Sequence, residues 1–347
     1  PPPPPPNQNP PIPRADDHTT DTPPTDDELL IAAQPSRRST ENPTAQKIGA
    51  FRSQPNASAN TRGWHNAMVI RHINKMVCGE PVDGLSMGLL NRAAKEYADR
   101  LPLKRGISIG CGTGFKEMQL INQGFVESFD LFELSEERIS TGLAHAKAIG
   151  IEDKVSFFLE DAFAKKIGAE VYDLVHWNNS LHHMLDVEYA VRWSKRILKS
   201  GGIFYMDDFV GPTRFQWPDA QLKMATNIRK SLRGTKYLRN PSKRLFFSRK
   251  YLPVRVVRPD PQTMMQNDPS EAADSEQILP AIKKHFPQAD IIKTGGVVYS
   301  LAFSGIIANF DHQSENDQRQ LQNLLDFEKS CIDSGKTHYA VCLAAKD

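Results

Sequence analysis

The chain has 347 residues, of which 39% are hydrophobic and 24% are charged, and its formal net charge is +2. This length and apolar content suffice for one large domain or two small domains with a buried core. No apolar run approaches the roughly 18 residues of a transmembrane helix. The first residues also lack the basic start and apolar core of a signal peptide. We therefore expect no membrane span.

The N-terminal part differs from the rest of the chain. It begins with six prolines and continues with Asp, Thr, Ser, Asn and Gln and few aromatic residues. Such a composition cannot bury enough apolar surface to offset the entropy lost on ordering. We predict a disordered, proline-rich arm over residues 1–60. Because the chain begins with Pro1, it could be a trimmed protein or a piece of a longer one.

The cysteines bear on the redox environment. The four cysteines are far apart and include no Cys-x-x-Cys pair: Cys78, Cys111, Cys331 and Cys342. This spacing indicates neither a zinc knuckle nor a disulfide framework. Free thiols fit a cytoplasmic protein, which is the location we expect.

Helix and strand patterns alternate after the arm. The helices place apolar residues three or four positions apart, and the strands are short apolar runs bounded by glycine or polar residues. In chain order the predicted elements are helices at 66–76 and 89–101, a strand at 106–110, a helix at 116–122, a strand at 128–133, a helix at 136–149, strands at 154–159 and 172–177, a helix at 187–198, a strand at 203–206, helices at 220–232 and 275–285, a strand at 291–294, helices at 297–309 and 316–334, and a strand at 338–345.

This alternation predicts an α/β fold with a doubly wound parallel sheet covered by helices on both faces. Ligands of such sheets bind beyond the carboxyl ends of the strands, so the residues that follow each strand are candidate site residues. Residues 210–288 interrupt the alternation. We predict that they form a helical lid or substrate-binding insertion within one domain over residues 61–347.

A glycine-rich loop follows the first predicted strand and precedes a helix. Its sequence is Gly110-Cys-Gly-Thr-Gly, and the glycines let the backbone turn sharply and approach a ligand closely. Sites for NAD, FAD and S-adenosylmethionine all use such a loop, so the loop alone is unspecific. The alternative is a tight turn without a ligand.

Acidic residues end the next two predicted strands. Glu133 ends the second strand, where a carboxylate can accept hydrogen bonds from both hydroxyls of a ribose. Asp161 lies at the tip of the third strand, where a carboxylate can accept from an adenine amino group beside Phe163. The alternative for Asp161 is a helix N-cap. Together with the glycine loop, these acids indicate a nucleoside-containing cofactor.

These motifs resemble the class I S-adenosylmethionine-dependent methyltransferase family, of the type 11/12-like kind. The resemblance covers residues from about 100 to 210 in five blocks that keep the family's order: Ile107-Ser-Ile-Gly-Cys-Gly-Thr-Gly, Phe132-Glu-Leu-Ser, Glu160-Asp-Ala, Tyr172-Asp-Leu-Val and Leu198-Lys-Ser-Gly-Gly. It implies a seven-stranded Rossmann-like sheet whose last hairpin is antiparallel, and S-adenosyl-L-methionine as the cofactor. The dinucleotide fingerprint Gly-x-Gly-x-x-Gly fits less well, because the third glycine, Gly114, comes one residue early.

The resemblance implies roles for single residues. Glu133 binds the ribose and Asp161 the adenine, and the cofactor lies over the glycine loop. The other cofactor-binding residues we predict lie in or beside these motifs: Ser108, Gly110, Cys111, Gly112, Gly114, Leu134, Ala162 and Asn178. The family usually has an acid where this chain has Ser108, and that acid helps orient the methionine end of the cofactor. Glu117, in the following helix, could supply the missing charge.

The loop after the fourth strand resembles the part of the family that faces the methyl group. Leu181-His182-His183 is similar to the Leu-His-His of many small-molecule methyltransferases. Methyl transfer to a hydroxyl requires removal of a proton, and a histidine can take it near neutral pH. His183 or His182 is therefore the candidate base. The alternative is a histidine that packs or caps a helix.

Asp207-Asp208 ends the fifth strand beside these histidines, and we predict a catalytic role for Asp208 and substrate binding for Asp207. Two carboxylates beside two histidines could hold a divalent metal. Such acids more often orient a substrate hydroxyl or cap a turn, so we predict no metal ligand.

Two segments of the insertion resemble a bacterial subfamily of these methyltransferases. They are Val210-Gly-Pro-Thr-Arg-Phe-Gln-Trp and Asp268-Pro-Ser-Glu-Ala. The resemblance implies a lid over the acceptor, without naming the acceptor. The predicted substrate-binding residues are Trp64, Arg214, Gln216, Trp217, Glu271 and Ser275. As an alternative, Phe215 and Trp217 merely pack the lid.

Three functions remain open at this point. The first is methyl transfer to a hydroxyl of a small molecule or glycan. The second is nucleic-acid methylation, because residues 223–258 contain twelve Lys and Arg and no acid. Two observations argue against nucleic-acid methylation. The end of the fourth strand lacks the Pro-Pro-aromatic sequence that binds a flipped adenine, and no cysteine lies near a strand end of the kind that attacks a pyrimidine ring. The third is a non-catalytic interaction module, suggested by Ser108 and the arm.

Overall fold

The computed structural model describes residues 66–240 and 251–347. The arm predicted over residues 1–60, Trp64 and the middle of the basic stretch lie outside these residues. Among the helices described, none is long and apolar enough to span a membrane.

One sheet of seven strands organises the described part of the chain, in the order β3-β2-β1-β4-β5-β7-β6. The strands are β1 Leu103–Ile109, β2 Val126–Phe132, β3 Val155–Phe158, β4 Tyr172–Asn178, β5 Leu198–Phe209, β6 Asp290–Gly295 and β7 Tyr339–Ala345. Strands β1 to β5 pair in parallel, and β7 runs antiparallel to both β5 and β6. The predicted α/β doubly wound sheet with an antiparallel last strand is confirmed.

Nine α-helices of seven or more residues flank the sheet within the described ranges. They are α1 Ala67–Cys78, α2 Met87–Glu96, α3 Phe115–Asn122, α4 Glu136–Ala148, α5 Val187–Ile197, α6 Asp219–Ser231, α7 Pro261–Asn267, α8 Ile278–His285 and α9 Glu315–Asp333. Side chains of Asn66, Ser135, Asp186 and Ser314 cap the first turns of α1, α4, α5 and α9. These caps explain why the helices begin close to their predicted starts.

The central strands are buried over runs of consecutive residues rather than on alternate residues. Ile107 in β1, Leu174 in β4 and Phe204 in β5 are each 0% exposed, as a parallel sheet covered on both faces requires. The chain runs outward from β1 to β3 and then returns to β4 beside β1. This reversal opens a crevice at the carboxyl ends of β1 and β4, where ligands of such sheets bind.

The predicted helix at 297–309 is wrong. A π-helical turn at Val297–Ala302 and a separate 3-10 turn at Ile307–Asn309 replace it. The buried carboxylate of Glu328 accepts the backbone N–H groups at positions 297, 298 and 299, at 2.8–3.0 Å, and so fixes a tight turn directly after β6. Gly305, at φ +76°, then ends the helical conformation before the second turn. The predicted helix at 89–101 ends early, at Glu96, and α7 was not predicted.

The segment between β5 and β6 belongs to a second hydrophobic core beside the sheet. Trp217, Ala225 and Ile228 of this segment pack together with Val69 of α1 and Leu321 of α9. The segment is therefore joined to elements from both ends of the described chain. Its predicted role as a lid stays a prediction.

Candidate active site

The glycine loop lies at the carboxyl end of β1, in the crevice beside β4. Gly110, Gly112 and Gly114 have φ values of 67°, 62° and 70°, a left-handed conformation that favours glycine. The Gly110 N–H donates to the carbonyl of Phe132 at 2.8 Å and ties the loop to the end of β2. A Cβ atom added at Gly112 would meet only Arg138, at 3.9 Å, so it would project into open space above the loop.

Glu133 holds the other side of this loop. Its Oε2 accepts the Gly112 N–H at 2.8 Å, and its Oε1 accepts the N–H groups of Leu134 and Ser135 at 2.9 and 3.1 Å. The side chain is 1% exposed. Because a carboxylate has about four acceptor positions, three backbone donors leave capacity for a ligand hydroxyl. The structure thus brings together the predicted residues Gly112, Glu133 and Leu134.

Asp161 lies one strand further along, after β3. Its Oδ1 accepts the Phe163 N–H at 3.0 Å, which closes an Asx turn and not a helix cap. Burial raises the pKa of the Asp161 carboxyl, and the N–H group of Phe163 opposes this rise. Ala162 is fully packed, at 1% exposed.

Ser108, Glu117 and His176 form a buried polar chain under the glycine loop. Ser108 Oγ donates to Glu117 Oε1 at 2.7 Å, and His176 Nδ1 lies 2.8 Å from the same oxygen. All three residues are 1% exposed. Burial alone would raise the pKa of the Glu117 carboxyl, but His176 and the Ser108 hydrogen bond hold it below its usual value. The second oxygen, Oε2, is buried and has no hydrogen-bond partner among the described residues.

A small cavity adjoins this chain, and its polar lining residues include Ser86, Lys116, His176 and Asn178. Lys116 Nζ donates to Ser86 Oγ at 3.1 Å, and Ser86 Oγ donates to Asp207 Oδ2 at 2.7 Å. Burial lowers the pKa of Lys116 to about 8 and raises that of Asp207. The sequence analysis missed Ser86, Lys116 and His176. Only the position of Lys116, two residues after the last glycine of the loop, could have indicated a role.

His182 lies in a 3-10 turn after β4, Leu181–His183. Its Nδ1 lies 2.5 Å from Asp208 Oδ1. Asp208 is 0% exposed, and its Oδ2 accepts the backbone N–H groups of Ser180 and Leu181 at 2.9 and 2.7 Å. Asp208 therefore stands behind the imidazole and fixes its orientation. The structure thus brings the predicted residues His182 and Asp208 together. Asp208 lies on the side of the imidazole that is away from the crevice.

His183 faces the segment between β5 and β6. Its Nδ1 lies 3.1 Å from Ser270 Oγ, which in turn donates to Asp268 Oδ1 at 2.6 Å. The carboxylate of Glu271 comes from the same loop, and its Oε1 lies 3.7 Å from Nε2 of His182. The two candidate bases and the predicted substrate-binding Glu271 therefore meet at one place.

The side chains of the remaining predicted substrate-binding residues make contacts within the protein. Arg214 donates to the carbonyls of Glu271 and Pro269 at 2.9 and 2.7 Å. Gln216 Nε2 donates to the carbonyls at positions 214 and 259, and Ser275 Oγ donates to the carbonyl at 211. Trp217, at 8% exposed, stacks on Phe215. These contacts favour the alternative in which Phe215 and Trp217 pack the segment.

Several cations of the basic stretch, residues 223–258, make contacts within the protein. Arg229 is 7% exposed and donates to three backbone carbonyls, at positions 253, 302 and 304. Lys236 pairs with Asp317 at 2.7 Å, and Arg258 pairs with Asp219 at 2.5 Å. Arg229 is therefore held within the fold, and Lys236 and Arg258 are paired with carboxylates.

Comparison with known proteins supports the predicted methyltransferase family over part of the chain. Residues 103–248, which include β1 to β5 and the glycine loop, match the model of a family described as a methyltransferase domain. The chain contains a class I S-adenosylmethionine-dependent methyltransferase domain. The site residues from Ser108 to Asp208 all lie inside the matched part of this domain. Glu271 lies outside it.

Curated relatives match this chain over about a third of its length. The 27-O-demethylrifamycin SV methyltransferase of Amycolatopsis mediterranei is 29% identical over 122 residues, which are 34% of this chain and 44% of that protein. Phosphoethanolamine N-methyltransferase 3 of Arabidopsis thaliana is 29% identical over 132 residues, which are 36% of this chain and 26% of that protein. The matches thus span less than half the length of these two relatives.

A solved structure shows the same fold. It is the geranyl diphosphate C-methyltransferase from Streptomyces coelicolor A3(2), in complex with Mg²⁺, geranyl-S-thiolodiphosphate and S-adenosyl-L-homocysteine. It aligns with a TM-score of 0.51 and 12% identity, over 88% of this chain and 99% of that chain. This likeness concerns the fold alone.

Proposed function

We propose that the protein transfers a methyl group from S-adenosylmethionine to a hydroxyl of a small molecule or glycan. The observation that carries the proposal is the clasp between Glu133 and Gly112 at the adjoining ends of β1 and β2. A buried carboxylate with acceptor capacity faces an open glycine loop there. Such a pair suits a ribose held above a close backbone.

Two further features fit the cofactor. Glu117 offers a buried carboxylate oxygen without a partner among the described residues, and the ammonium group of a methionine moiety is the kind of donor that would satisfy it. Asp161, with its pKa raised by burial, lies at the next strand end and suits the adenine amino group. When bound, S-adenosylmethionine supplies an activated methyl group.

The acceptor side rests on the histidine pair. Asp208 orients His182, and Ser270 orients His183, so both imidazoles are held beside the crevice. We infer that this pair promotes the loss of the proton from an acceptor hydroxyl. One relative is named for a small-molecule acceptor, 27-O-demethylrifamycin SV, and this supports the small-molecule class.

The test is a transfer assay with methyl-labelled S-adenosylmethionine against a panel of phenols, glycosides and macrocyclic alcohols. We expect label to move to at least one hydroxyl compound. With that compound, His182→Asn should lower kcat by about 10²–10⁴-fold, the usual contribution of a general base. Its affinity for S-adenosylhomocysteine should stay unchanged. If RNA is labelled and none of the hydroxyl compounds is, the proposed acceptor class is wrong.

A further inference from the structure

The loop at 268–273, here called the capping loop, lies directly on the turn that carries the two histidines. The Ala273 N–H donates to the carbonyl of His182 at 3.1 Å. Ser270 Oγ lies 3.1 Å from His183 Nδ1, and Glu271 Oε1 lies 3.7 Å from His182 Nε2. Two imidazoles from one part of the chain and a carboxylate from another therefore converge on one point.

We propose that His182, His183 and Glu271 bind a divalent transition-metal ion such as Zn²⁺. One ligand atom from each residue lies within 4.8 Å of the other two. With metal–ligand bonds of about 2.0–2.1 Å, ligand atoms in a tetrahedral site are roughly 3.3 Å apart. Side-chain adjustments of about 1 Å therefore close the site. Two histidines and one carboxylate are a known ligand set for such ions, and they leave positions open for substrate oxygen.

The hydrogen bonds behind the histidines fit metal ligands. Asp208 accepts from Nδ1 of His182, so the ring presents Nε2 towards Glu271. Ser270 donates its own proton to Asp268 and can therefore accept from Nδ1 of His183. Metal-binding imidazoles usually donate their second N–H to a carboxylate, carbonyl or water, which fixes the tautomer and the ring orientation. Both histidines carry such support.

The capping loop, which carries Glu271, is held in a defined position by its own contacts. Arg214 clamps the loop through the carbonyls of Pro269 and Glu271, and Asp268 and Ser270 are 4% and 2% exposed. A carboxylate ligand must be held at a defined distance from its partners, because metal affinity falls when the site is loose. The clamp supplies that constraint for Glu271.

This inference rests on the proposed methyl transfer and says how the acceptor proton leaves. The ion binds the acceptor oxygen and lowers the pKa of its hydroxyl, so the proton passes to water. The oxygen lone pair then forms the bond to the methyl carbon as the carbon–sulfur bond breaks and leaves a neutral thioether. The histidine pair thus acts through the ion.

The experiment is calorimetric titration of Zn²⁺ and Co²⁺ into the tag-free full chain after treatment with a chelator. Metal content and the visible absorption of Co²⁺ are recorded on the same samples. We expect one ion per chain. Asp208→Asn should weaken binding by about 10–100-fold, and Glu271→Gln and His183→Asn should weaken it more, because they remove a ligand. The exposed residues Glu80 and His312 provide matched controls, Glu80→Gln and His312→Asn, with affinity unchanged.

Two outcomes would overturn the inference. One is the absence of stoichiometric binding by the wild type. The other is equal affinity in the wild type and Glu271→Gln, since the contact with His182 would then be an ion pair only. Titration of S-adenosylhomocysteine into the same samples separates this inference from the proposed function. Cofactor binding without ion binding refutes the metal site alone, and ion binding without cofactor binding refutes the methyl transfer alone.

Discussion

Glu117 Oε1 lies 2.8 Å from Nδ1 of His176, in a contact that joins α3 to β4 beneath the glycine loop. Both side chains are 2% exposed. A buried carboxylate needs charge-assisted partners to stay ionised, and His176 and Ser108 provide them. The carboxylate of Glu117 therefore lies beside Ser108. At the position of Ser108, methyltransferases of this family usually have an acid.

The first prediction concerns this charge. Glu117→Gln should lower the affinity for S-adenosylhomocysteine by about 10-fold or more, the worth of a hydrogen bond to a charged group. Calorimetry on the wild type and the variant, repeated with the deaminated analogue, gives a double-mutant cycle. Removal of the amino group should weaken binding to the wild type and leave binding to Glu117→Gln unchanged.

Ser108→Ala is the matched control, because it removes a hydrogen bond to Glu117 and keeps the charge. We expect Ser108→Ala to bind S-adenosylhomocysteine slightly more weakly than the wild type does. Removal of the amino group from the ligand should weaken binding to this variant as much as it weakens binding to the wild type. Should the amino group contribute equally to binding in the wild type and in Glu117→Gln, Glu117 does not contact the methionine end.

The second prediction concerns Arg214, which donates to the carbonyls of Glu271 and Pro269. Arg214→Ala should lower the free energy of unfolding by about 2 kcal/mol, because two carbonyls lose a charged donor. Hydrogen exchange should accelerate over residues 268–273. Arg214→Lys keeps the charge but lacks the forked donor, so it should rescue only part of the protection. Unchanged exchange in both variants would show that the clamp does not hold the capping loop.

The third prediction concerns the pH dependence of stability through His338. Burial lowers the pKa of this imidazole from 6.5 to about 4, and its Nε2 lies 2.7 Å from Gln221 Oε1. The unfolded chain therefore binds a proton on His338 below pH 6.5 while the folded chain does not. Stability is unaffected above that pH and is lost as the pH falls towards 4.

Urea unfolding at about pH 7.5 and pH 5 measures this effect, and the contribution of His338 to the difference is about 2 kcal/mol. His338→Gln should remove that contribution, whereas His312→Gln, at an exposed position, should not. NMR titration of the His338 ring protons checks the pKa directly, including the case where the variant folds poorly. A ring that titrates near its usual pKa would refute the prediction.

Much of the fold could be predicted from the sequence, and so could the placement of the residues that we predict to bind the cofactor. The glycine loop, Glu133 and Asp161 each follow a strand, and strand ends in a parallel sheet meet at one edge. Local patterns therefore sufficed for these residues. The turn after β6 was predicted wrongly as a helix, because Glu328, far along the chain, determines its geometry.

The acceptor side, and the polar chain under the glycine loop, depend on long-range contacts that local spacing does not encode. His183 and Ser270 are 87 residues apart in the sequence, and Glu117 and His176 are 59 residues apart. His176 sits in the middle of an apolar strand pattern, which gave no indication of a polar partner. Glu271 was predicted as a substrate contact from a motif, but its proximity to His182 appears only in three dimensions.

The most direct test of the account is titration of S-adenosylhomocysteine into the wild type, Glu133→Ala and the exposed control Glu137→Ala. The wild type and the control should bind with equal affinity. Glu133→Ala should bind about 100-fold more weakly, because two hydrogen bonds to a carboxylate are worth roughly 1.5–3 kcal/mol each, and its thermal unfolding should remain cooperative. Absence of binding to the wild type, or full affinity in Glu133→Ala, would contradict the proposed cofactor site.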